Sequence, residues 1–144
     1  MYNLNGDKML ESVLDILNDY LLEFPLEKER QSYFLNYLKK HNSNEIIDWN
    51  NFAGHIVASG FIYAKEEEKF LVLYHKDMKM FLYPGGHVDS SDLSIFSADK
   101  REVKEETGIN LNTENLMPFY CIRYYTKNYK GIGINKLSQI YYFF

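Results

Sequence analysis

The chain has 144 residues, a formal net charge of −4, 46% hydrophobic and 17% aromatic residues. This is the length of one domain with enough apolar material for a core, which excludes global disorder. The acidic balance gives no support to broad nucleic-acid binding. One cysteine, Cys121, can form neither an internal disulfide nor a cysteine-based zinc cage, and a small buried hydrophobe is its expected role.

The opening MYNLNGDKML lacks a basic segment leading into an apolar one, so it does not read as a secretory signal. No stretch reaches the roughly 18 apolar residues of a membrane span. A reduced, cytoplasmic setting without a membrane partner is the default expectation. Met9, Leu10, Val13, Leu14, Ile16, Leu17, Tyr20 and Leu21 recur with helical spacing, with Asp7 as a cap and Pro25 as a break. A second helix is expected over about 26–41, with Tyr33, Phe34, Tyr37 and Leu38 as its apolar stripe. HNSN, residues 41–44, reads as a loop. Residues 1–48 are therefore expected to form a helical hairpin ahead of a main domain over 49–144.

Strand formers then take over. GHIVASGFIYA (54–64), the polar turn KEEEK (65–69) and FLVLYH (70–75) read as a hairpin. KMFLYPGG (79–86) reads as a short strand ended by Pro84, Gly85 and Gly86, and the loop HVDSSD follows. A helix is expected over about 93–107, with Gly108 in the left-handed position that ends it. MPFYCIRYYTK (117–127) and LSQIYYFF (137–144) read as strands joined through GIGIN (131–135). The order suggests an α/β fold, a mixed sheet with helices packed on it. The four terminal aromatics would make an exposed strand edge, so the natural chain is expected to continue beyond Phe144, and a homodimer is one way to cover the edge.

REVKEETGI, residues 101–109, concentrates charge. On a helix, Glu102, Glu105 and Glu106 fall within an arc of about 100°. Ionised carboxylates so placed repel, and a divalent cation would resolve the repulsion. Mg²⁺ and Mn²⁺ take hard oxygen ligands, helical carboxylates can supply one side of that shell, and glycines let backbone carbonyls approach. Alone, such a helix is more often a solvated face.

With the diglycine upstream, the stretch GGHVDSSDLSIFSADKREVKEETGI (85–109) resembles the signature of the Nudix hydrolases, G-x5-E-x7-R-E-U-x-E-E-x-G-U, where U is a bulky aliphatic. Arg101, Glu102, Val103, Glu105, Glu106, Gly108 and Ile109 match every specified position of its second half. The resemblance covers about 52–144 and not the N-terminal helices. It implies a Nudix fold, a mixed sheet sandwiched by helices, here with an N-terminal helical extension. The segment between Gly86 and Arg101 is one residue longer than the pattern: counted from Arg101 the family glutamate falls on Leu93, and counted from Gly86 on Asp92. With the extra residue in the loop, Asp92 stands in for that glutamate, and with Gly85 would brace the loop against Arg101.

By resemblance, Glu102, Glu105, Glu106 and Gly86 hold Mg²⁺ or Mn²⁺, and Glu102, Glu105 and Arg101 are the catalytic set. The implied reaction is hydrolysis of a diphosphate linkage in a nucleoside diphosphate derivative. A carboxylate would take the proton from the attacking water. After the signature the only acidic residue is Glu114, so the base is either a signature glutamate or lies beyond this chain. His87 and Arg123 are candidate substrate contacts. Lys127 and Lys130 could meet phosphate, and Tyr74, Tyr83 and Trp49 could stack on a base, although surface charge and packing are the commoner uses of such residues. GIGIN lacks the following helix and Lys-Ser/Thr of a phosphate cradle. A different class of function, a catalytically weak Nudix-fold module that binds a nucleotide or a protein, fits the same residues.

Overall fold

The computed structural model describes residues 8–51 and 53–111, and the backbone of 120–125 and 138–141. Asp7, Glu114, Lys127, Lys130, the GIGIN loop and the last three residues lie outside them. Helix α1 spans Lys8–Glu23 and buries Met9, Val13, Leu17 and Tyr20, one stripe at spacings of three and four. Pro25 does not merely break the chain; it opens a short 3₁₀ turn, Pro25–Glu27, that leads into α2, Lys28–Leu38. In α2 the buried stripe is Gln31, Phe34, Tyr37 and Leu38. Tyr33, expected in that stripe, is instead 51% exposed. Its place inside is taken by Gln31, one helical turn before Phe34 and Leu35.

HNSN is not a loop throughout. Asn42 accepts from the Glu45 backbone N–H while the Glu45 carboxylate accepts from the Asn42 backbone N–H, a capping box that starts the short helix α3, Ser43–Ile47. Buried Ile46 faces the core. Tyr37 ties α2 to the entry of the first strand: its hydroxyl donates to the Gly54 carbonyl at 2.6 Å, and Asn51 Nδ2 donates to it at 3.3 Å. Burial, then the Glu45 charge, pushes the Tyr37 phenol up to about 12.

The strands are shorter and more numerous than expected. They are β1 (His55–Gly60), β2 (Tyr63–Ala64), β3 (Lys69–Phe70), β4 (Leu73–His75), β5 (Met80–Leu82), β6 (Gly85–His87), β7 (Tyr120–Tyr125) and β8 (Ser138–Tyr141). The expected hairpin of 54–64 with 70–75 is reduced to the ribbon β2–β3, and the rest of its return strand pairs instead with the next expected strand as β4–β5. A four-stranded sheet in the order β6-β1-β7-β8 forms the centre. Every recorded pairing among the described strands is antiparallel, so the mixed sheet shows no parallel pair among them.

The Gly85–Gly86 pair does not end a strand in a turn; it is strand β6, with Gly86 opposite Ala58 and Gly85 opposite Ser59 on β1. Helix α4 spans Ile95–Thr107. Ser94 caps it reciprocally with Ser97, and Gly108, at φ 76°, ends it in the left-handed conformation. One buried cluster joins Met9, Val13 and Leu17 of α1, Phe34 and Leu38 of α2, and Ile46 to Ile56 and Ala58 of β1 and Ile95 and Ala98 of α4. The N-terminal helices thus share the core that seats α4 on the sheet. No helix among the described residues is long and apolar enough to cross a membrane.

Candidate active site

Strand alternation decides what α4 meets. Ile56, Ala58 and Gly60 point to one face of β1, and Gly86, opposite Ala58, lies on the same face. A Cβ on Gly60 would lie 2.6 Å from Cγ2 of Val103, so α4 rides directly on this face. Its stripe Ile95, Asp99, Glu102 and Glu106 has the i, i+4, i+7, i+11 spacing of one helix side. Glu102 rests against the bare backbone of Gly86: a Cβ there would lie 2.6 Å from Glu102 Oε2 and 2.9 Å from Oε1. One turn on, Gly85 N–H donates to Glu106 Oε2 at 2.8 Å.

Arg101 supplies positive charge among these acids. Its Nη2 donates to Asp92 Oδ2 at 2.8 Å and Nε to Asp92 Oδ1 at 3.3 Å, a two-point grip on one carboxylate. Nη1 donates to Glu102 Oε1 at 2.8 Å and Glu105 Oε2 at 3.2 Å, and Nη2 also reaches the His87 carbonyl at 2.9 Å. The Asp92 hydrogen bond, ahead of the Glu102 contact, raises the pKa of the guanidinium despite the opposing cost of burial. The Asp92 side chain is only 5% exposed. Its Oδ2 also accepts from the Asp89 backbone N–H, while the Asp92 N–H donates to the Asp89 carbonyl, closing the loop after β6 on itself. The Ser91 backbone N–H donates to Asp89 Oδ1, and this is the main cause of a lowered Asp89 pKa.

The carboxylates differ in exposure. The Glu105 side chain is 59% exposed and that of Glu102 13%. Asp99, absent from the sequence-based candidates, is buried with Oδ1 unpartnered. Burial first, then the charges of Glu102 and Asp92, holds its pKa well above the usual carboxylate range. Its position on the stripe was readable, since Asp99 precedes Glu102 by three, but its burial comes from the sheet that this stripe meets. His87 offers this cluster its carbonyl rather than its ring. Alternation turns the ring to the other face of β6, where it stacks on His55 with centroids 5.2 Å apart. Burial, then the His87 charge, lowers the His55 pKa, with Asp48 opposing. Arg123 stands in the same cross-strand row as His87, both opposite Val57 from its two flanking strands. Two strand spacings, about 10 Å, separate those backbone positions.

The donor set suits a hard divalent cation: three carboxylates beside strand backbone that no side chain shields. No group of three acidic, histidine or cysteine side chains among the described residues is gathered as a ready metal site. Arg101 holds Glu102 and Glu105, and the Gly85 N–H holds Glu106.

Comparison with family models gives a match to the NUDIX domain over residues 54–144, well over half of the chain. Comparison with curated proteins and with solved structures gives no significant match.

Proposed function

The chain belongs to the Nudix family, and from that premise we propose that it is a Mg²⁺- or Mn²⁺-dependent hydrolase that cleaves a diphosphate linkage in a nucleoside diphosphate derivative. Family membership by itself supports a hydrolase acting on phosphoanhydride-type substrates in general. The observation that carries the finer reading is Glu102 seated on Gly86, with Glu105 and Glu106 on the same side of α4. Glu102, Glu105, Glu106 and the Gly86 carbonyl would hold the cation. When bound, it supplies charge neutralisation at phosphate and acidification of the attacking water.

The chain's own residues do the rest. Glu105, the more open of the two glutamates beside Arg101, takes the proton from water at a carboxylate oxygen. Arg101 orients Glu102 and Glu105 and, through Asp92 and the His87 carbonyl, braces the loop after β6. Asp92, with the Gly85 contact to Glu106, serves as the brace that the shorter family loop builds from a glutamate. His87 serves the site through its carbonyl, which Arg101 holds, while its ring stacks on His55 on the sheet face turned away from α4; the Arg123 side chain lies outside the described residues.

A panel of dinucleotides, nucleotide sugars and nucleoside triphosphates, with Mg²⁺ or Mn²⁺ and product analysis, tests the reading. Turnover should require the cation and fall by about 100-fold or more in Glu105→Gln, with circular dichroism unchanged. One observation favours a second reading, a weakly catalytic module that binds a nucleotide or a protein. Arg101 already occupies oxygens of Glu102 and Glu105, the place a divalent cation would take. Absence of cation-dependent turnover across the whole panel would select it.

A further inference from the structure

We infer that the cavity between the β4–β5 ribbon and the Glu106 end of α4 is the subsite for the substrate's base. The inference rests on the hydrolase reading for its substrate and on the cavity itself for its location. This cavity holds about 360 Å³, within the roughly 300–1,000 Å³ of small-molecule pockets. Glu106 and Gly85 form one wall, and Tyr74, Lys76, Leu82 and Tyr83 line the other side. Glu106 and Gly85 are themselves hydrogen-bonded, so the cavity opens directly off the carboxylate helix. A diphosphate held by the proposed cation at this helix would place its next group beside Glu106, where the cavity begins.

The chemistry of the walls selects a flat aromatic group. Tyr83 is fixed by Phe61, centroids 3.9 Å apart, and by Phe70 at 6.3 Å edge-on. Tyr74 is 56% exposed and is steadied by Phe81, opposite it on β5, at 5.4 Å in a T-shaped pair. Both rings are therefore oriented by neighbours while Tyr74 keeps surface free to be covered. Leucine on the same lining matches an apolar ring face, and the Lys76 ammonium supplies a donor for a ring carbonyl or a phosphate. Base–aromatic stacking tolerates any base, so this geometry predicts preference for nucleotides over base-free diphosphates rather than a choice among bases.

The test compares kcat/KM for a nucleotide substrate from the panel with that for phosphoribosyl diphosphate, which carries sugar and diphosphate but no base. Tyr74→Ala should reduce the nucleotide-to-base-free selectivity ratio by about 10-fold through KM, and Tyr74→Phe should restore it. Binding of nucleoside monophosphates without divalent cation, followed by saturation-transfer NMR, should weaken in Tyr74→Ala to the same extent. Cavity binding that depends on Tyr74 in a chain that hydrolyses nothing would sustain the subsite and sink the hydrolase. Hydrolysis of nucleotides with an unchanged ratio and unchanged monophosphate binding in Tyr74→Ala would overturn the subsite and leave the hydrolase standing.

Discussion

Arg101 reaches three carboxylates and one carbonyl from a single planar head. Lysine has one ammonium and cannot grip Asp92 at two points while bridging Glu102 and Glu105. Arg101→Lys should therefore lower kcat/KM by about 10–100-fold, consistent with losing a charged hydrogen bond of roughly 1.5–3 kcal/mol, as steady-state kinetics would show. Asp99 gives a pH signature. Its folded pKa is raised, so between the ordinary carboxylate value and that raised value the folded state keeps a proton that the unfolded chain has lost. By linkage, stability falls as pH rises through this window and is recovered as pH falls below it. Asp99→Ala should remove that slope and raise stability at pH 7 by about 1–3 kcal/mol, measured by urea unfolding across pH with a chelator present. The charges of REVKEETGI were plain in the sequence. That Arg101 would meet Glu105 follows from i, i+4 spacing; that Asp99 would be sealed in depends on the sheet it faces, which no local pattern reports.

At the scale of elements, the joint between β6 and α4 is set by two adjacent glycines with different duties. A Cβ on Gly85 would meet the Ala58 carbonyl at 2.2 Å and Ser59 Cα at 2.6 Å, which is backbone and cannot yield. The nearest atoms to a Cβ on Gly86 are all at the end of the Glu102 side chain, which can swing away. Gly85→Ala should thus cost about 1–3 kcal/mol of stability. Gly86→Ala should leave thermal stability nearly intact and weaken divalent-cation-dependent activity about 10–100-fold by displacing Glu102, a proposed ligand. Melting curves set beside cation titrations of activity distinguish the two. Read locally, Pro84-Gly85-Gly86 is punctuation, which is why β6 was not expected as a strand; close approach to β1 and α4 is the reason glycine stands there. Helix α4 was legible to within two residues because Gly108 and the carboxylate pattern frame it. Helix α3 was not, although Asn42 and Glu45 carry a capping signature, because five residues give no periodicity to read.

For the whole molecule, one buried core runs across the boundary expected near residue 48. Val13, Leu17, Phe34 and Ile46 are fully buried in the same cluster as Ile56, Ala58 and Ile95. Removing residues 1–48 would uncover the face of β1 that also positions α4. The shortened chain should lose its cooperative thermal transition and aggregate, seen by circular dichroism and light scattering. Leucine and valine spacing showed these helices to be amphipathic; which surface they cover depends on contacts distant in sequence.

The guanidinium at the centre of the acidic helix decides how the molecule would respond to the proposed divalent cation. Arg101 serves as a resident counter-ion, its one positive charge shared among Asp92, Glu102 and Glu105. Loading of the proposed cation would then be an exchange of one positive partner for another rather than the capture of a bare anion cluster. Under the proposed function the fold would be assembled ahead of its ion, and the ion's apparent affinity would be set by what it gains over the arginine contacts it displaces.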